Sequence, residues 1–77
     1  MRERTPSRAA FIAEKKLNHR EVQTLELLAV FLQNKEIADR LGVSIPVTEK
    51  ILRNVFRKLG VRTRAEAVAI WNAARTA

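Results

Sequence analysis

No cysteine occurs among the 77 residues, so neither a disulfide framework nor a thiolate metal site can reinforce this fold. Glycine and proline number two each, there is no tyrosine, and a single histidine and a single tryptophan are present. Two isolated glycines build no phosphate-cradling loop. His19, with no cysteine or clustered carboxylates to join it, offers no metal ligand set and no nucleophile relay; a solvated residue in a first helical turn is the plainer reading. Enzymatic activity, a metal and a cofactor are therefore not expected. No apolar run approaches the ~20 residues that span a membrane, and the N-terminus lacks a signal-peptide core. A soluble cytoplasmic protein is expected. A chain of this length makes one domain near the lower limit for a single apolar core, so its stability must come from helix packing and capping.

What is present is positive charge, unevenly placed. Fifteen Lys and Arg stand against eight Asp and Glu, a net of +7. Residues 50–64 hold six basic side chains (Lys50, Arg53, Arg57, Lys58, Arg62, Arg64) and no acid, whereas residues 21–49 carry a net of −3. A basic segment beside a mildly acidic one gives the domain an electrostatic direction, as for a face that meets phosphates. A solvated basic helix surface is the bland alternative.

The apolar spacing predicts four helices. One opens at Asn18, which with Glu21 makes a capping-box pattern, and buries a stripe of Val22, Leu25, Leu28, Ala29 and Leu32. Val30 and Phe31 fall off that stripe. A second helix runs over 34–41 with Ile37, Ala38 and Leu41 inward, and Gly42 follows where a left-handed cap is wanted. Ser44 caps a third, over 45–59, closed by Gly60. At 100° per residue, Thr48, Ile51, Leu52, Val55 and Leu59 share its inner side, and Pro46, Lys50, Arg53 and Arg57 the outer. A fourth opens at Thr63 with a box to Glu66 and is apolar or small over much of its circumference. Residues 1–16 form a basic extension, either a short extra helix capped by Thr5 with Pro6 in its first turn, or a disordered arm. If Phe11, Ile12, Val30 and Phe31 form a satellite cluster joining it to the end of the first helix, the extension is ordered and belongs to the domain.

Two short helices joined by a glycine turn, the second with a basic outer face, match a helix-turn-helix. The resemblance is specific. Leu17-Asn18-His19-Arg20-Glu21, Leu27-Leu28-Ala29, Asn34-Lys35-Glu36-Ile37-Ala38, Leu41-Gly42-Val43-Ser44, Arg57-Lys58-Leu59-Gly60-Val61 and Arg64-Ala65-Glu66-Ala67-Val68 together resemble the LuxR-type (GerE-like) DNA-binding domain. That family supplies the output domains of quorum-sensing regulators and many response regulators. The likeness runs over 17–71 without a gap. It implies an all-α, four-helix helix-turn-helix bundle over 17–77, preceded by the 1–16 extension.

The resemblance also implies a transcription regulator that binds double-stranded DNA as a homodimer, with the 45–59 helix in the major groove. Glu49, Lys50 and Arg53 would contact bases, and Lys35, Asn54, Arg57, Lys58 and Arg64 phosphates. The fourth helix, through Val68, Ile70, Trp71 and Ala74, would form the dimer interface, although Trp71 reads equally well as a core residue. Three departures stand out. Phe31 occupies the place of a family glycine, Gln33 that of a Ser or Thr cap, and Glu49 that of a groove-facing base. Glu49 has three readings: an ion pair with Arg53, an acceptor for a cytosine amino group, or the mark of a domain that has given up DNA. Under the last, the protein would instead be an interaction module that pairs with another regulator.

Overall fold

The structure, a computed structural model, describes residues 7–74. Among these there are five helices and no strand: α1 (Arg8–Lys15), α2 (His19–Ala29), α3 (Asn34–Leu41), α4 (Ile45–Leu59) and α5 (Arg64–Ala74). The last four are those the spacing predicts. The extension supplies α1, and Ser7 caps it, its Oγ accepting from the Ala10 amide at 3.0 Å. The expected Thr5–Pro6 cap lies outside the described residues.

Local chemistry sets the helix boundaries. At α2, the Asn18 side chain accepts from the Glu21 amide at 2.8 Å while the Glu21 carboxylate accepts from the Asn18 amide at 2.9 Å. At α5, Thr63 Oγ1 accepts from the Glu66 amide at 3.1 Å, and Glu66 accepts from the amides of Thr63 and Arg62 at 3.1 and 2.9 Å. Gln33 makes no side-chain cap at α3; only the Glu36 half of that box forms, accepting from the Gln33 amide at 3.0 Å. α1, α3 and α4 end on left-handed caps, Lys16, Gly42 and Gly60; α2 ends on Val30, and the left-handed residue Phe31 follows it. At the glycines this conformation carries no Cβ penalty. At Phe31, with φ +66°, it does.

One core gathers Leu25, Leu28, Ile37, Leu52, Val55, Leu59, Ala67 and Trp71 from α2 to α5. Thr24 and Thr48 are buried too, and their hydroxyls donate to the carbonyls of Arg20 and Ser44, so neither leaves an orphan donor. The extension joins the same core. Phe11 meets Trp71 edge to face at 5.9 Å between ring centres. The Arg8 guanidinium lies 3.5 Å from the centre of the Trp71 ring and donates to the Trp71 carbonyl at 3.1 Å. The expected satellite cluster does not form, because Phe11 and Ile12 pack inward while Val30 and Phe31 stay exposed.

A partly buried ion pair ties α1, α2 and α4 together. Lys58 Nζ reaches Glu21 Oε1 at 2.7 Å and the Lys16 carbonyl at 2.9 Å. It is the one ion pair among the described residues.

Candidate nucleic-acid interface

Position α4 on the core through Thr48, Leu52, Val55 and Leu59, and its opposite side must face water. That side carries Lys50, Arg53 and Arg57, all exposed. Among the described residues, Lys50 and Arg53 have no hydrogen-bond or ion-pair partner, so their charge is available to a ligand. Arg57 donates to Asn54 Oδ1 at 3.0 Å, which pairs the two and holds the guanidinium along the helix. Ser44 fixes the start of α4, its Oγ accepting from the Val47 amide at 3.3 Å.

Around this face stand the starts of two more helices. Lys35, in the first turn of α3, is exposed and has no partner among the described residues. Arg64, the first residue of α5, donates to the Leu32 carbonyl at 3.1 Å and to the Asn34 side chain. It thereby ties the α2–α3 turn to α5 and remains exposed. Asn34, Glu49, Leu52, Arg53, Phe56 and Arg64 line a shallow cleft of about 300 Å³ between α3, α4 and α5. Glu49 lies in this cleft without an ion pair to Arg53, so the (i, i+4) tether is not formed.

Two groups of expected site residues sit elsewhere. Lys58 is engaged within the protein: its ammonium is held by buried Glu21 and the Lys16 carbonyl. Trp71 and Ala74 are core residues, Trp71 only 2% exposed beneath Arg8 and Phe11. Two side chains of α1, Phe11 and Arg8, pack on Trp71. Of the expected dimer residues, only Val68 and Ile70 are partly exposed.

A different apolar surface is open. Leu28, Phe31, Leu32, Val68 and the alanines 65 and 69 line a groove of about 810 Å³ between the end of α2 and α5. Phe31 stands at its edge, 81% exposed. Sequence periodicity marks Phe31 only as off the buried stripe; that it borders a groove depends on where α5 packs. Periodicity also passes over Val47 and Ile45, exposed apolar residues in the first turn of α4.

Residues 15–71 match the model of the luxR family of bacterial regulatory proteins. The chain belongs to that family. The luxR-family segment comprises α2 to α4 and most of α5, and leaves nearly all of α1 outside. Among curated proteins the chain is similar to the HTH-type transcriptional activator RamA of Corynebacterium glutamicum, 43% identical over 60 residues, which is 78% of this chain and 20% of RamA. It is also 40% identical over 57 residues to the transcriptional regulatory protein YdfI of Bacillus subtilis, covering 74% of this chain and 27% of YdfI. The nitrate/nitrite response regulator protein NarP of Escherichia coli is 40% identical over 55 residues, 71% of this chain and 26% of NarP. The chain thus spans between a fifth and about a quarter of the length of these luxR-family relatives. No solved structure matches it. Among the described residues, no helix is long and apolar enough to cross a membrane, and no group of three or more His, Cys, Asp or Glu could hold a metal ion.

Proposed function

We propose that this domain binds double-stranded DNA as the output part of a transcription regulator, with α4 in the major groove. The observation that carries the reading is the outer face of α4, where Lys50 and Arg53 stand exposed with no partner among the described residues. An unpaired pair of cations on a solvent-facing helix costs the fold little and is worth most against phosphates or guanine edges. Lys50, Arg53 and Glu49 contact bases, Glu49 accepting from a cytosine amino group. Lys35, Arg57 with Asn54, and Arg64 contact phosphates. Membership of a family of bacterial regulatory proteins, and the regulators RamA, YdfI and NarP among the relatives, support the same reading.

The dimer forms through the groove beside α5 rather than through Trp71. Val68 lies in that groove, and Phe31 gives each protomer an aromatic knob to place against its partner. An exposed aromatic in a strained left-handed conformation is retained more readily where a second surface covers it.

Fluorescence anisotropy against duplex DNA at two salt concentrations tests the reading, with sedimentation of the parent and Phe31→Glu beside it. With Lys35, Arg57 and Arg64 on phosphates, log affinity falls against log salt with a slope near about −2.7 per bound protomer. Absence of binding at ~50 mM salt, or a flat salt response, refutes DNA binding and favours the interaction module. A parent that is monomeric at every concentration refutes the dimer alone.

A further inference from the structure

We infer that Val47 is a specificity residue that reads the 5-methyl group of a thymine, an inference that rests on the proposed entry of α4 into the major groove. Four large apolar side chains are exposed among the described residues, and they fall into two pairs. Val30 and Phe31 belong to the turn after α2. Ile45 and Val47, 42% and 43% exposed, occupy the first turn of α4, on the element with the densest basic face. The N-terminal residues of a groove-bound helix are the ones that reach base edges.

Rotation along α4 separates the two. At 100° per residue, Val47 lies about 60° from Lys50 and about 80° from Arg57, at the edge of the outer face, whereas Ile45 lies about 40° from Glu49, beside the cleft. Val47 is also held still. Ser44 caps the turn through the Val47 amide, Thr48 donates its hydroxyl to the Ser44 carbonyl at 3.1 Å, and branching at Cβ limits the valine to few rotamers.

The chemistry then selects the contact. A valine side chain neither donates nor accepts, so it gains nothing from a phosphate and nothing from the polar edge of guanine, adenine or cytosine. The thymine methyl is the apolar group that a major groove presents. Lys50 and Arg53 supply attraction to any sequence; Val47 supplies a preference that charge cannot.

The test starts with the 77-residue chain and a randomised duplex library, from which a preferred duplex is selected. Each thymine of that duplex is then replaced singly by deoxyuridine, which removes the methyl and leaves the hydrogen-bonding edge intact. Affinities are measured for the parent, Val47→Ala and Lys50→Ala. We expect one thymine per half-site whose replacement weakens the parent about fourfold, the worth of one methyl taken out of water. The same replacement has no effect on Val47→Ala and keeps its effect on Lys50→Ala. A selected site without such a thymine, or a methyl effect of equal size in the parent and Val47→Ala, overturns the inference while leaving DNA binding standing. Failure to bind any duplex overturns the DNA reading and this inference with it.

Discussion

Replacing Lys58 with methionine separates a structural cation from a DNA-binding one. Methionine keeps most of the aliphatic stem and removes the ammonium that joins Glu21 to the Lys16 carbonyl. Glu21 is left with its Asn18 amide and no counter-charge, its side chain only 4% exposed. Breaking a fully buried pair from one side costs ~3–5 kcal/mol. The Lys58 side chain is 27% exposed, so water solvates part of this pair, and about 2 kcal/mol is the better figure. For a domain of this size that lowers Tm by roughly 8–16 °C. Lys58→Met should therefore melt early by circular dichroism and keep the parent's salt slope in duplex binding. Arg53→Ala should do the reverse, with Tm nearly unchanged and the slope shallower by about 0.9 if its guanidinium meets a phosphate as well as a base. The reasoning is refuted if Lys58→Met melts within about 3 °C of the parent and loses a unit of slope, since that is the signature of a phosphate contact.

Three further outcomes follow from the same structure. Phe11→Ala removes the edge of the Trp71 packing and should cost ~3 kcal/mol, measured by urea denaturation; a loss below about 1 kcal/mol would mean that α1 is not part of the core. Hydrogen bonds from the Arg62 and Thr63 amides hold the Glu66 carboxyl below the usual glutamate range. A lowered folded-state pKa means that its stabilisation is present above the unfolded value and lost as pH falls through the folded one, so Glu66→Gln should flatten the acid limb of the stability–pH curve, and an unchanged limb would contradict it. Glu49→Gln should relax preference at a single base position by ~1–3 kcal/mol in binding to single-base variants of a selected site; tighter binding to all sequences would show instead that Glu49 only repels phosphates.

The boundaries of α2, α4 and α5 were legible in the sequence because caps are short-range. Asn18 with Glu21, Ser44, Thr63 with Glu66, and the glycines at 42 and 60 act on amides and carbonyls within a few residues. The outer face of α4 was legible for the same reason, since 3.6-residue periodicity fixes it. Lys58 was not. Its periodicity is that of a basic surface residue, and its partner Glu21 lies 37 positions away, visible only once α2 packs on α4. Trp71 shows the same limit: a lone tryptophan on an apolar helix serves a core or an interface equally, and α1, crossing from the other end of the chain, decides between them. The Glu49–Arg53 spacing allows a tether that the structure does not form, because exposed (i, i+4) pairs gain only ~0.3–0.5 kcal/mol.

The claim that the outer face of α4 is the DNA surface is tested most directly by titrating the ¹⁵N-labelled domain with duplex DNA and following its amide resonances. Shifts should concentrate on residues 45–57 of α4 and on the first turns of α3 and α5, around Lys35 and Arg64. The amides of α1 and of the second half of α5 should remain in place. Shifts confined to Phe31, Val68 and the groove beside α5, with α4 unmoved, would contradict it.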